Sequence, residues 1–411
     1  MEGTPMTEFV SDKFSWEVRQ GDALSVLSDM PADSIDCVMT SPPYWGLRDY
    51  GVEGQLGLEP HPQEYLEKLW EIFDEVKRVL KPTGCCFVNM GDTYAGSGKG
   101  AGTKDYKQKE SWSFDKKPEV TDDGSEWLKP KNLLMIPEEF ARGMVRQGGW
   151  WLRNKNIWHK PNAMPSSVKD RFSCTWEHVF FFTKAARYWF DLDAVREPYA
   201  REWGNGSEGG SLVRAFREGS DNNPLERGAG YAHGGDKLPE PNPLGKNPGD
   251  CWTIPTCPFP EAHFAVYPPE LIRKPIRAGC PPKVCVECGK PWERVTEPGP
   301  SYQSMNAPNR PSTKARLTET MGRYGKNSAL VTGIVNTRKT IGWQPTCACE
   351  EADTEPGIVL DPFSGAGTTG LVCIEEDRNY IGIELSQEYC EMQRKRLEQA
   401  TRQKQHRLPL T

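Results

Sequence analysis

No stretch of this 411-residue chain holds the run of about 18 apolar residues that a membrane-spanning helix needs. Its first residues, MEGTPMTEF, lack the basic-then-apolar pattern of an export signal. Apolar residues are scarce at 36% and the mean hydropathy is −0.67, so a soluble, loop-rich, cytoplasmic protein is expected. The chain has no Gly-Lys-Ser or Gly-Lys-Thr, which argues against a triphosphate-binding loop. It has no overall excess of positive charge either, for the net charge is −6. Cations are instead concentrated locally. Residues 129–187 carry 11 Lys/Arg against 4 Asp/Glu, and residues 301–340 carry 7 against 1. Each segment is either a solvated face or a surface for polyanions. Cysteines are not scarce: there are 13. In a reducing compartment they should be free thiols or metal ligands rather than disulfides.

Periodicity gives the elements. Tyr65, Leu69, Ile72, Phe73, Val76, Val79 and Leu80 recur at helical spacing, predicting a helix from His61 to Lys81 that Lys81-Pro82-Thr83-Gly84 stops. A strand follows at Cys85–Met90, then a long polar loop at 92–128. A helix is expected near Pro137–Gln147 and a strand in WWLRNKNIWHK, with HVFFFTK and RYWFDL as a hairpin pair. Residues 201–250 are rich in Gly, Asn and Pro and have no clear period. A helix in ELIRKPI is limited by Pro275. The C-terminal end alternates clearly: strand GIVL, turn DPFSGAGTTG, helix GLVCIEED, strand YIGIEL, then a long helix capped by Ser386. Alternating strands and helices at both ends imply an α/β fold, a doubly wound and mostly parallel sheet with insertions in the middle.

The turn DPFSGAGTTG sits where a strand passes into a helix. Gly365 and Gly367 let the backbone bend tightly and approach a ligand. Glu384 follows Gly365 by 19 residues, at the end of the next strand, where a doubly wound fold presents an acid to ribose hydroxyls. A nucleoside is the ligand expected there. At the other end, the apolar run SIDCVM leads into TSPPYWG. Two prolines stiffen that turn and two aromatics follow, Tyr44 and Trp45.

Together these stretches carry a specific resemblance. DPFSGAGTTG resembles the S-adenosylmethionine-binding motif of amino-methylating DNA methyltransferases, and TSPPYW resembles their catalytic motif. The catalytic motif comes first and the cofactor motif last, as in the permuted, β-type group. The resemblance covers roughly residues 15–200 and 250–400. It implies a circularly permuted class I methyltransferase-like fold acting on double-stranded DNA, with a homodimer allowed. It also implies site residues. Asp22, in QGDALSVL, would accept a hydrogen bond from the cofactor adenine. Asp361, Pro362, Phe363, Gly365, Gly367, Thr368 and Glu384 would form the rest of the cofactor site. Ser41 and the carbonyl of Pro42 would accept hydrogen bonds from an exocyclic amine, with Pro43 stiffening the turn. Tyr44 would stack on a base flipped out of the duplex. Trp45 either helps or packs behind. In this family Ser at the first motif position leans towards N4 of cytosine, and Asp or Asn towards N6 of adenine. A carbon-5 mechanism would need a nucleophilic cysteine in a Pro-Cys step, and no Pro-Cys dipeptide occurs.

Cys285-x-x-Cys288 and Cys347-x-Cys349, 58 residues apart, could supply four thiolates to a structural zinc ion, with Cys280 as an alternative ligand. The nulls for that pattern are free buried thiols or a redox pair. The expected division is a catalytic half over 14–200, a candidate target-recognition region at 201–250 and a core segment at 251–283. A zinc-ribbon-like insertion with a basic loop follows at 284–350, then a cofactor half at 355–404. Both 201–250 and 301–340 are candidates for reading DNA sequence. His263 is expected in the core or the cofactor-side wall.

Overall fold

The computed structural model describes residues 7–95 apart from 12, 48 and 50, then 129, 131–198, 242, 244–257, 266–303, 334–349 and 353–407. Most of the expected loop at 92–128, nearly all of 201–250, most of 301–340, and His263 lie outside the described residues. The chain divides into two units. One comprises 1–195, 249–293 and 343–411; the other comprises 196–248 and 294–342.

The first unit is built on a nine-stranded sheet. Its strands, in chain order, are β1 (Thr7–Val10), β2 (Ser15–Gln20), β3 (Ile35–Thr40), β4 (Leu80–Met90), β5 (Trp151–His159), β6 (Trp176–Thr183), β7 (Cys251–Thr253), β12 (Ile358–Asp361) and β13 (Asn379–Glu384). Their order across the sheet is β1-β2-β13-β12-β3-β4-β6-β5-β7. All are parallel except β1 and β6, which run antiparallel to their neighbours. The central pair is formed by strands from opposite ends of the chain, with Val38 beside Leu360. This is the class I methyltransferase type of α/β sheet, entered at a permuted point. Two short pairs complete the described strands: β8 (Val284–Cys285) with β11 (Thr354–Glu355), and β9 (Glu293–Gln303) with β10 (Ile334–Gln344).

Alternation along the strands builds two cores. Val38, Cys86, Val88 and Leu360 face helices α1 (Ala23–Ser28), α2 (Pro62–Val79) and α3 (Ile136–Arg146). Cys37, Met39, Cys85, Phe87 and Val359 face α4 (Pro269–Gly279), α5 (Thr368–Glu375) and α6 (Gln387–Arg407). The period of two in a strand does this sorting. On α2 the helical stripe Tyr65, Leu66, Leu69, Ile72, Phe73, Val76 and Val79 is buried throughout. Each such side chain contributes about 1.5–3 kcal/mol of transfer free energy. All thirteen cysteines are free. Burial pushes the Cys37, Cys85 and Cys373 thiols far up and Cys280 to about 12, so they act as small apolar fillers.

Three expectations need correction. RYWFDL is not a strand. Its backbone bonds to loops instead, Trp189 N–H to Thr83 O (2.9 Å) and Asp191 N–H to Ala278 O (2.9 Å). Its aromatics pack on β6, Phe190 stacking on Phe181 at 5.5 Å and Tyr188 meeting it edge-on at 5.6 Å. The partners of β6 are β4 and β5. Pro275 does not limit α4, which continues to Gly279 because Leu271, Ile272 and Ile276 bury one face. Strand β4 starts at Leu80, five residues before Cys85, directly after α2.

In the second unit, Glu197 and Lys246 exchange backbone hydrogen bonds of 3.1 and 2.8 Å. Arg294 donates to Thr340 at 2.9 Å. Among the described residues no helix is long and apolar enough to cross a membrane.

Candidate active site

The turns after β3 and β12 leave the same edge of the sheet, from adjacent parallel strands. In an open α/β sheet that edge is where ligands bind. One buried carboxylate ties the two turns together. Asp361 is fully buried. One of its oxygens accepts from Thr40 Oγ1 (2.6 Å) and Phe363 N–H (3.2 Å). The other accepts from Thr369 Oγ1 (2.6 Å) and Tyr267 Oη (3.0 Å). Burial pushes its carboxyl pKa up, and these four donors oppose the shift. Thr40 immediately precedes Ser41, so Asp361 holds the Ser41 turn against the glycine turn.

Between them opens a cavity of about 850 Å³. Its two walls correspond to the two motifs. Asp22, Pro362, Phe363, Gly365, Thr368 and Glu384 line one wall; Ser41, Pro42, Pro43 and Tyr44 line the other. Asp361 and Gly367 lie beneath and shape the turn. Gly365 and Gly367 have φ of +49° and +75°, and a Cβ on Gly367 would come 2.5 Å from Gln393 Cγ. Gly370, which completes a Gly-x-Gly-x-x-Gly spacing, packs where a Cβ would come 2.6 Å from Tyr380 Cε1. That third glycine serves helix–strand packing.

The Glu384 carboxylate accepts Gly365 N–H and Ser386 N–H, both at 2.8 Å, while burial raises its pKa. Asp22 caps α1 through Ser25 N–H at 3.0 Å. Thr368 Oγ1 is buried in the same wall with no hydrogen-bond partner. An enclosed wall with an acid at its rim, apolar Pro362 and Phe363, and one orphaned hydroxyl fits a nucleoside cofactor carrying further polar groups.

The opposite wall contains residues that the sequence did not single out. Asn89 Nδ2 donates to Glu177 Oε2 (3.2 Å) and His178 O (2.9 Å). Both are acceptors only, so the Asn89 carbonyl must face the hydroxyls of Ser41 (3.5 Å) and Tyr44 (3.3 Å). Tyr44 also donates to Glu177 at 2.9 Å, and Lys160 pairs with the other Glu177 oxygen. Burial and the Glu177 charge push the Tyr44 hydroxyl well above its ordinary pKa, so it stays protonated. The Tyr44 ring lies over Gly91, where a Cβ would come 2.6 Å from its Cε2. Trp45 is core: it is buried, and its indole donates to Glu59 O at 2.9 Å. Tyr65 donates to Pro43 O at 2.7 Å and fixes the turn from below.

A second cluster lies in the same unit. The thiols of Cys285, Cys288, Cys347 and Cys349 all lie within 4.8 Å of one another. Cys280 is apart from them, buried in the core. The Cys285 turn is held by Cys285 N–H to Lys290 O (2.9 Å) and Gly289 N–H to Cys285 O (2.9 Å). The Lys290 N–H, together with neighbouring thiols, lowers Cys288 to about 7. Four convergent thiols, one readily ionised, fit a closed Cys₄ zinc site.

Sheet, glycine turn and two-walled cavity define a class I S-adenosylmethionine-dependent methyltransferase. The chain belongs to the N6_N4_Mtase family, DNA methylase, whose model matches residues 35–286 and 350–395. It is 34% identical over 380 residues to Type II methyltransferase M.XycI of Xanthomonas campestris pv. cyanopsidis, covering 92% of this chain and 86% of that one. Over 380 residues it is 33% identical to Type II methyltransferase M.Cfr9I of Citrobacter freundii, with the same coverage. Type II methyltransferase M.SmaI of Serratia marcescens is 30% identical over 383 residues, covering 93% of this chain and 91% of that one.

Proposed function

We propose that this chain methylates the exocyclic amino group of a base flipped out of double-stranded DNA, N4 of cytosine, as the modification enzyme of a restriction–modification pair. The observation that carries this reading is the shared anchorage of both turns on Asp361, which aims the Ser41 turn and the glycine turn into one cavity.

S-adenosylmethionine supplies a methyl group as a sulfonium. Glu384, at the rim, holds ribose hydroxyls; Asp22 offers its second oxygen to the adenine amine; Thr368 offers its unpartnered hydroxyl. The amine nitrogen is a poor nucleophile because its lone pair is delocalised into the base. Ser41 donates its own proton towards Asn89 and turns its lone pairs into the cavity. There they accept from the amine with the Pro42 carbonyl, pulling the nitrogen towards tetrahedral geometry. The N–C bond forms as the S–C bond breaks, and the surplus proton leaves to water. Holding both reactants in line supplies much of the rate. Tyr44, its ring set over Gly91 and its hydroxyl on Glu177, offers a stacking face to the base.

Ser41 rather than Asp or Asn supports cytosine N4, following the family pattern. Residues 196–248 and 294–342 fall in the second unit and contain most of both segments set aside for sequence reading. The Cys₄ cluster is assigned zinc, with a structural role. Digesting DNA to nucleosides after incubation with labelled S-adenosylmethionine tests the base. Label in N4-methylcytosine is expected; label in N6-methyladenine would overturn the cytosine assignment.

A further inference from the structure

We propose that Phe172, on the loop between β5 and β6, enters the DNA duplex as a wedge and fills the place of the extruded base. This rests on the base-flipping reading above.

Phe172 is 97% exposed and Met164, on the same loop, 89%. The loop is nevertheless held firmly on both sides of Phe172. Lys160 N–H bonds to Thr175 O at 2.7 Å and closes its base. Asn162 clasps the Thr256 backbone with bonds of 3.0 and 2.8 Å. Asp170 pairs with Lys131 at 2.7 Å. Arg171 lies 3.9 Å over the Tyr94 ring and donates to the Phe172 carbonyl at 3.2 Å. A fixed backbone thus presents a large aromatic ring to water, where its burial would otherwise be favoured.

The loop also forms the rim of the cavity. Ala163, Met164 and Cys174 line it, and Cys174 is two residues from Phe172. Residues 160–175 carry Lys160, Lys169 and Arg171 against Asp170, a charge that suits a phosphate backbone. Extruding a base leaves a gap whose flanking bases have lost stacking on one side. An apolar side chain from the rim restores that contact and keeps the base from returning. The occupant of the Phe172 surface is therefore duplex DNA at the target pair.

The test uses the full chain and two 30-base-pair duplexes bearing the site found by modified-base sequencing. One is fully paired; the other has an abasic position opposite the target. Phe172→Ala should lower kcat/KM on the paired duplex about 10–100-fold but stay within about threefold of wild type on the abasic-opposed duplex, where extrusion is easy. Phe172→Trp should restore most of the loss. Equal losses on both duplexes, or no loss on the paired one, would overturn the wedge. If the wild-type chain methylates neither duplex, the base-flipping reading fails and the wedge falls with it.

Discussion

At the scale of residues, Ser41 and Tyr44 divide the work on the base, and substitutions should separate them. Ser41→Ala removes one acceptor for the amine and should lower kcat about 100-fold while leaving S-adenosylmethionine affinity unchanged. Single-turnover methylation and calorimetric titration of the cofactor measure the two effects. Tyr44→Ala removes the stacking face and should reduce methylation by about 10–100-fold with cofactor binding nearly intact. Loss of both in a folded variant would make Tyr44 structural. Tyr44→Phe keeps the ring and loses only the bonds to Glu177 and Asn89, so its defect should be smaller. The Ser41-Pro42-Pro43-Tyr44 turn was legible because its residues are consecutive and follow a strand. Asn89, Glu177 and Lys160 were not. Asn89 and Glu177 are polar residues in or beside apolar strands, and only the pairing of β4 with β6 brings them together. Trp45 could not be placed from sequence because a core aromatic and a functional one look alike there.

At the scale of elements, α3 is tied to the sheet by Glu138, which lies 2.7 Å from Lys155 on β5 and 3.1 Å from His178 on β6. Desolvation alone would raise its pKa, but hydrogen bonds from His178 and Lys155 hold it at about 2, against 4.5 ordinarily. A depressed carboxyl contributes stability that is complete above pH 4.5 and lost as pH falls towards 2. Because the site is part-exposed, screening reduces that contribution to about 1 kcal/mol. Glu138→Gln should therefore lower stability at neutral pH and flatten acid unfolding in that window, as denaturant titrations at several pH values would show. The cysteine pairs were legible as spacing, and the fold brings their thiols together. Cys288→Ser should lower the zinc content from one per chain and depress Tm, and protein purified without zinc would contradict the assignment. RYWFDL misled because alternating aromatics mark a strand in sequence, whereas here they pack on Phe181 without a ladder partner.

At the scale of the whole molecule, chain order and spatial order disagree, and that disagreement makes the site. Strands β3 and β12 are separated by more than 300 residues yet pair directly, which sets the two motifs side by side. The alternation of strands and helices at both ends made the doubly wound sheet legible. Short β2 was less so, although Trp16 and Val18 alternate into the core. The central claim is that Ser41 and the glycine turn act as one site on DNA. Sequencing with detection of modified bases, on DNA from cells expressing wild-type or Ser41→Ala protein, tests it most directly. The account predicts N4-methylcytosine at one defined sequence with the wild-type chain and almost none with Ser41→Ala. Unmodified DNA with the wild-type chain, or equal modification by both proteins, would contradict it.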